Sequence, residues 1–518
     1  VALLLAASLA LNAFGIGWGL PSRYGWAPDE LLPGEVLEGR DRRFSSGWHS
    51  KYPPLQYYFL TAVYAPMLEP AKPAAPRAAV SDAVYARLFL ASRGVSLLMA
   101  TGFLLAVFLA GRAAAGASAA FFAVALVATM PPFVFYAKLA NLDVPSLFWW
   151  ALSLVLLLRL LKGHRLADYL LFAASAVLAV CTKDQTYGLY VLVVPWILWS
   201  RARFEGRASV SGALRASGRR EPLAAAALGL VLFAILHNFA WNFDGFRAHL
   251  ALITGRASQD FREFSGDPSG HLSLLVQTVA NLGFSLGWPA FAVCLVGVWV
   301  AARRREAGAP SLALLIPAAG YYLFFLSVVL YSYDRFVLPI VVLLAFYGGA
   351  VLSRAWDTRR GWARAAVVLV LAYGVGRCVS LDLAMTHDAR YAAEAWLHER
   401  ASPPALVAPV GPLEYLPRMD GLDARPLGPA VARLQKVQPR FVVANADYAE
   451  RADPDTAEHQ LYAGLDRGDL GYRRVFAHRF DAPWLLLRTQ DLLDRPGALV
   501  RSNIGKVNPE IRVYERAE

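Results

Sequence analysis

The chain returns repeatedly to apolar runs long enough to cross a bilayer, among them "GVSLLMATGFLLAVFLAG" and "LPIVVLLAFYGGAVL". About 20 apolar residues cover roughly 30 Å of hydrocarbon as a helix. There the backbone must satisfy its own hydrogen bonds, so helices are the natural solution. By that measure spans are expected near 1–20, 86–110, 117–136, 145–161, 166–181, 187–200, 222–241, 273–301, 311–331, 335–353 and 363–381, about eleven in all. The fold class expected is a polytopic α-helical membrane protein. With 57% hydrophobic and 12% aromatic residues, the composition lies outside the usual soluble range. The first segment has no charged leader and no A-x-A-like site before Trp18, so an uncleaved first span is expected, with a few cytoplasmic residues ahead of it. Residues 53–68, short and Tyr-rich, are expected to lie in the interface.

Charge orients the spans. The turns at 111–116, 159–165, 200–221, 302–309 and 353–364 hold about 17 Lys/Arg against about 6 in the opposite short turns, which puts the first set in the cytoplasm. The net charge of +12 follows from those turns and suits anionic lipid headgroups. No basic stripe is interleaved with stacking aromatics in a soluble module, so nucleic acid is not an expected partner. The long loops 21–85 and 242–272 then fall outside the cell. So does everything beyond 381, where "ALVAPV", "RFVVANA", "YRRVFAHRF" and "EIRVYER" read as strands and "HDARYAAEAWLHERA" as a helix. Residues 382–518 are therefore expected to form a small extracytoplasmic α/β domain after a membrane domain over 1–381. Cys181, Cys294 and Cys378 lie in apolar segments without metal-type spacing, so neither a disulfide framework nor a zinc site is expected of them.

Ionisable residues at the ends of spans cost energy that a structural helix need not spend. On the derived topology they gather on the outer side: Asp29, Glu30 and Asp143 as acids, and Lys51, Lys138, Lys183 and Arg335 as cations. Such a convergence suits deprotonation of a hydroxyl beside a phosphate-bearing leaving group. Each residue also has a plainer reading. Asp29 and Glu30 could be solvated loop acids, and Asp143, two residues before Pro145, an N-cap. Lys183 and Arg335 could anchor helix ends at headgroups, and His237-Asn238 could bond between helices.

In order and spacing, "PDE" at Asp29-Glu30, "KYPPLQYYFL", "AKLANLDVPSLF", the "TK" at Lys183 and "RFVLP" resemble the GT-C membrane glycosyltransferases. Within these the pattern is most similar to the dolichyl-phosphate-mannose protein mannosyltransferase and lipid A aminoarabinose transferase group. The resemblance runs over about residues 1–381. It implies an inverting enzyme of the cytoplasmic (inner) membrane, a hexosyl- or pentosyltransferase. Such an enzyme moves one sugar from a polyprenyl-phosphate carrier to a hydroxyl on a lipid, polysaccharide or protein acceptor outside the cell. By motif position Asp29 would be the general base with Glu30 beside it, and Asp143 would assist. Lys51, Arg335 and Lys183 would grip the donor phosphate. Relatives often place the lysine directly before the proline, whereas Tyr52 intervenes here. Tyr52, Asn141, His237 and Asn238 are candidates to line the cavity. No cofactor is required by this reading. A divalent cation is compatible with it, and Asp29 and Asp143 would be its ligands. Three other readings remain open: a transporter or flippase for a lipid-linked sugar, an oligosaccharide ligase using a diphosphate carrier, and a membrane-anchored binding or assembly protein in which the tail does the work.

Overall fold

The computed structural model describes residues 1–68, 80–303, 310–401, 405–493, 495 and 497–517. Part of the outer loop 21–85 and most of the basic turn at 302–309 lie outside these residues. The chain divides into two compact units, Val1–Ile16 with Glu30–Val375, and Gly17–Asp29 with Gly376–Glu518.

The first unit is helical. Among the described residues, five helices are long and apolar enough to cross a membrane: Asp82–Ala115, Asp143–Gly163, Leu312–Val329, Leu338–Asp357 and Gly361–Arg400, the last running on into the second unit. Two bent pairs raise the number to seven if each is one span, fewer than the eleven expected. The chain reads as an integral membrane protein; of the other expected spans, 166–181 and 222–241 are unbroken helices of 17 residues, Leu166–Thr182 and Arg220–Leu236, and others are bent or shortened. The run expected as one span over 273–301 is two helices, Pro268–Leu286 and Trp288–Arg303, bent by 111°. Gly287 between them has φ +79°, a conformation open to glycine at little cost, and Pro289 follows. The run over 117–136 bends by 71° where Pro131-Pro132 restarts the helix. The apolar opening is helical only over Ala2–Ala13, and 187–200 is split between Gly188–Val191 and Val193–Phe204. Hydropathy counts apolar residues and is blind to these breaks.

Small residues set the packing. The Leu338–Asp357 helix is buried along most of its length, between Ala117–Ala128 on one side and Trp288–Arg303 on another. A Cβ on Gly349 would sit 2.3 Å from the Ala119 carbonyl oxygen, and one on Gly348 2.5 Å from Cys294 Sγ. A Cβ on Gly297 of the facing helix would meet the Tyr347 carbonyl at 2.4 Å. Backbones this close gain dispersion contact, which drives association where the surroundings are as apolar as the side chains.

The second unit holds a five-stranded sheet of β1 (Leu406–Val410), β2 (Asp423–Ala424), β3 (Phe441–Asn445), β4 (Tyr472–His478) and β5 (Ile511–Arg516), ordered β2-β1-β3-β5-β4. β1 runs parallel to β2 and β3, while β5 is antiparallel to β3 and β4. Alternation sends Ala408, Val410, Val442 and Ala444 to one face, where Leu434, Leu461 and Leu465 cover them. Val407, Phe441 and Val443 face the other way, against Ala389, Ala393 and Leu397 of the Ala389–Arg400 helix. Apolar residues on both faces of the inner strands are what helices on both sides require.

Residues 17–29, expected as the end of the first span and the start of the outer loop, are built into this unit. Trp18 and Trp26 are buried, with the Arg390 guanidinium 5.2 Å and 4.1 Å from their ring centroids. Asp388 holds that guanidinium at 2.9 and 2.7 Å and accepts Trp18 Nε1–H at 3.0 Å. Arg418 donates to the Leu20 carbonyl at 2.7 Å. Asp29, at the end of this segment, takes φ +59°.

Candidate active site

In the first unit Glu30 is the better-defined half of the acidic pair. Its Oε1 and Oε2 accept from Arg93 Nε and Nη2 at 2.7 and 2.9 Å, and both side chains are fully buried. Oε1 also accepts the Ala140 amide at 2.9 Å, and Leu31 N donates to the Ala140 carbonyl at 2.8 Å. Arg93 in turn donates to the Ile16 carbonyl at 2.7 Å. These bonds fasten residues 30–31 to the Asp82–Ala115 helix and to the 138–142 turn, which makes Glu30 a brace rather than a solvated loop acid. Lys138, also buried, donates to the carbonyls of Leu11 and Phe14 at 3.3 and 2.9 Å, at the C-terminal end of the first helix where a cation is favoured.

Asp143 does not cap. The helix starts at Asp143 itself, and Leu142 stands in the cap position without a side-chain bond. A first-turn carboxylate is free to leave the helix axis, and Oδ1 reaches Lys183 Nζ at 2.5 Å, with both side chains buried. Asp143 N donates to Asn141 Oδ1 at 2.7 Å, so the Asn141 amide fixes the turn. Asp143 Oδ2 is buried and has no hydrogen-bond partner among the described residues. Burying such an oxygen without a partner is costly, so it is a place where a bound group would be stabilised.

Around this pair lie the late motif's residues. Lys183 Nζ is 5.9 Å from the Phe336 ring centroid, and the Arg335 guanidinium is 5.3 Å from the same centroid. Asp334, beside Arg335, accepts the Arg335 amide at 2.7 Å and the Tyr136 hydroxyl at 3.3 Å. Tyr321 is within electrostatic reach of both Asp143 and Arg335. It directly precedes a turn of π-helix at Tyr322–Leu326, a device frequent at functional sites.

The residue after Lys183 carries a second cluster. Asp184 Oδ1 and Oδ2 lie 3.0 Å from His237 Nε2 and 3.0 Å from His249 Nε2. His249 Nδ1 meets the Ser50 carbonyl at 2.8 Å. Burial would raise the Asp184 pKa, but the hydrogen bonds from His237 and His249 overcome it and hold the carboxyl at about 2. Burial disfavours the His249 cation, yet the Asp184 hydrogen bond and charge outweigh it and lift its pKa above the ordinary value. One ligand atom from each residue falls within 4.8 Å of the others, a spacing that fits one metal ion. Two imidazoles and a carboxylate suit zinc and its neighbours better than magnesium. The Ser50 carbonyl orients His249 so that Nε2 faces the cluster, as outer partners of metal-bound histidines do.

Asn238 and Asn242 tie the quoted "KYPPLQYYFL" loop to the same cluster. Asn238 Nδ2 donates to the Phe44 carbonyl at 2.8 Å, and its Oδ1 accepts the Tyr58 hydroxyl. Asn242 Nδ2 donates to the Phe44 and Trp48 carbonyls at 3.1 and 2.6 Å. His237 thus bonds to the turn at Asp184–Tyr187, and Asn238 bonds to the Phe44 carbonyl and to Tyr58 on the Leu55–Tyr64 helix. Lys51, next to Ser50, is exposed and has its ammonium 5.5 Å from the Tyr52 ring centroid. Glu35, a residue the motifs did not flag, accepts from Tyr57 and has a raised pKa, chiefly through burial and against the pull of that hydrogen bond and of the Lys51 charge. Asp29 lies in the second unit.

Residues 80–216 match the family described as dolichyl-phosphate-mannose-protein mannosyltransferase, a stretch that holds Arg93, Lys138, Asn141, Asp143, Lys183 and Asp184. Among solved structures it is similar to ArnT from Cupriavidus metallidurans bound to undecaprenyl phosphate, at 13% identity over 99% of this chain and 97% of that one, TM-score 0.49. The oligosaccharyltransferase of Archaeoglobus fulgidus in complex with Zn and sulfate aligns at 14% identity over 99% and 88%, TM-score 0.46. The Saccharomyces cerevisiae Pmt1-Pmt2 complex bound to its sugar donor aligns at 16% over 47% and 35%, TM-score 0.34. No curated protein matches the chain.

Proposed function

We propose that this chain is an inverting glycosyltransferase of the cytoplasmic membrane. It moves a single sugar from a polyprenyl-phosphate carrier to a hydroxyl acceptor on the extracytoplasmic face. The observation that carries the reading is the buried Asp143–Lys183 pair, with Asp143 Oδ2 buried and without a hydrogen-bond partner among the described residues, and with Lys183 and Arg335 both near the Phe336 ring. The leaving phosphate gains negative charge as the glycosidic bond breaks, and preorganised cations stabilise it best where water is scarce. Lys183 and Arg335 supply that charge, and Lys51 grips the phosphate from the loop side. Asp143 keeps Lys183 charged and aimed. Asp29 is the general base that takes the acceptor proton, with Glu30 next to it in the chain. The Asp184–His237–His249 cluster would hold a divalent cation, whose charge would draw the phosphate to this face.

Incubating the purified chain with a panel of polyprenyl-phosphate and polyprenyl-diphosphate sugars tests the reading. Release of free sugar or its transfer from a monophosphate carrier is expected, and Asp29→Asn should abolish transfer while the protein remains folded. Turnover of the diphosphate carriers alone, or full activity in Asp29→Asn, would overturn it.

A further inference from the structure

The Pro268–Leu286 helix carries a stripe that a lipid-facing helix would not need. Gln277, Asn281 and Ser285 follow one another at four-residue spacing, so they share one face, and all three are buried. Buried amides need hydrogen-bond partners, and the two here find theirs on one short segment. Gln277 Oε1 accepts the Ser332 amide at 3.0 Å, and Asn281 Nδ2 donates to Ser332 Oγ at 3.1 Å. Ser332, itself buried, stands three residues before Arg335.

That segment draws little guidance from secondary structure. Residues 331–333 lie outside any helix or strand, so neither kind of backbone ladder holds them. Ahead of them Leu330 closes the helical run Leu312–Val329 with φ +57°, a left-handed conformation uncommon for leucine. Its carbonyl accepts the Glu263 and Phe264 amides, both at 3.2 Å. Beyond them the Arg335 guanidinium lies 5.6 Å from the Tyr333 ring centroid and 5.3 Å from that of Phe336. Tyr333 follows Ser332 directly, so where the Ser332 backbone is held decides where that ring, and the cation against it, can go.

Glu263 settles which way the Gln277 amide points. Gln277 Nε2 donates to Glu263 Oε2 at 2.8 Å, which turns Oε1 toward Ser332. A flipped amide would set its NH2 against the Ser332 N–H, two donors face to face. Adhesion between helices is the plainer role for buried amides, but both bonds here end on a segment outside any helix.

We infer that Gln277 and Asn281 are positioning residues for the donor phosphate. They hold the Ser332 backbone so that Arg335 meets that phosphate, and Glu263 fixes the orientation of Gln277. The inference rests on the reading of Arg335 as a phosphate-gripping cation and deepens it by naming what aims the guanidinium.

Binding of undecaprenyl phosphate and of undecaprenol to the full chain in detergent, followed by tryptophan fluorescence, separates recognition of the phosphate from recognition of the lipid chain. The wild type should prefer the phosphate. Gln277→Leu and Asn281→Leu should each cut that preference about tenfold, the worth of one misplaced charge-assisted hydrogen bond, with undecaprenol affinity and thermal melting held. In an Arg335→Ala background neither should cut it further. Gln277→Glu alone sets two carboxylates together and should lose the preference. Gln277→Glu/Glu263→Gln should regain it, because a carboxylate at 277 can accept from both Ser332 N and the amide at 263. A preference left intact in Gln277→Leu and Asn281→Leu, equal losses for the phosphate and the alcohol, or losses that persist in full beside Arg335→Ala would overturn the inference alone. Wild-type affinity for undecaprenyl phosphate in Arg335→Ala would remove the parent reading of Arg335 and the inference with it, so the two failures are told apart.

Discussion

Substituting Glu30 separates bracing from chemistry. The Glu30–Arg93 pair is bidentate at 2.7 and 2.9 Å and wholly buried, and its remaining hydrogen bonds run to Ala140 N and the Ile16 carbonyl. With the charge centres about 4 Å apart, their attraction is of order 4 kcal/mol at an effective dielectric near 20. Glu30→Gln keeps the shape and one acceptor but leaves the guanidinium buried without its counter-charge, which costs about 3–5 kcal/mol. The double variant Glu30→Gln/Arg93→Met removes both charges and should regain most of that loss, because desolvation of the pair disappears with it. Thermal unfolding of the four proteins of this cycle in one detergent, followed by light scattering and tryptophan fluorescence, reads the coupling. The expected order is wild type and double variant high, with both single variants low. A Glu30→Gln protein that melts like the wild type yet cannot transfer sugar would refute the bracing argument and return Glu30 to the chemistry.

Three further outcomes follow from other groups. Asp143→Asn removes the counter-charge of Lys183 and should lower donor turnover by at least about tenfold, with Asp143→Asn/Lys183→Met regaining stability but no activity; turnover assays beside melting curves separate the two effects. The purified chain should retain about one zinc or similar ion by elemental analysis, and Asp184→Asn and His249→Ala should each weaken zinc binding at least about tenfold in a competition titration with a chromophoric chelator; a metal-free wild type that binds no added zinc would refute the cluster as a metal site. Asp447 is raised to about 6, chiefly by burial and despite Arg479, while an unfolded aspartate titrates near 3.9. The folded unit therefore holds the extra proton, and its contribution is present below about pH 4 and lost as pH rises through about 6, some 3 kcal/mol in all. Hydrogen exchange of the β3 amides in the full chain, wild type against Asp447→Asn, should show protection diverging over that window and level above it; a constant difference would refute the burial argument.

Which parts of this architecture could be read in advance follows from the range of the forces involved. Strands β1, β3, β4 and β5 and the Ala389–Arg400 helix announce themselves through local alternation or helical spacing, since each faces a fixed core. β2 does not, because two residues paired to a neighbour leave no period. Spans were legible as apolar runs, and their breaks were not, because Gly287 and Pro131-Pro132 act through backbone geometry that a hydropathy sum ignores. The Asp143–Lys183 pair was visible as two suspects, but its contact joins residues 40 apart in sequence. Asp184, directly after Lys183 in "TKDQ", carries no local signal because its two histidine partners lie 53 and 65 positions away in sequence.

Trp18 and Trp26 show how far a local reading can stop short. In a chain with spans, aromatic residues beside the first apolar run suggest headgroup anchoring. Here the rings are buried against Arg390, a residue more than 360 positions away, and the guanidinium is fixed by Asp388 before it meets them. A cation stacked on aromatic faces and paired with a carboxylate gains most where water is excluded. That contact makes residues 17–29 part of the second unit's core, and so Asp29 is positioned by the fold of the C-terminal residues as well as by its own loop. Loosening Arg390 should therefore disturb Asp29 before it disturbs Asp143 and Lys183, which the first unit holds by itself.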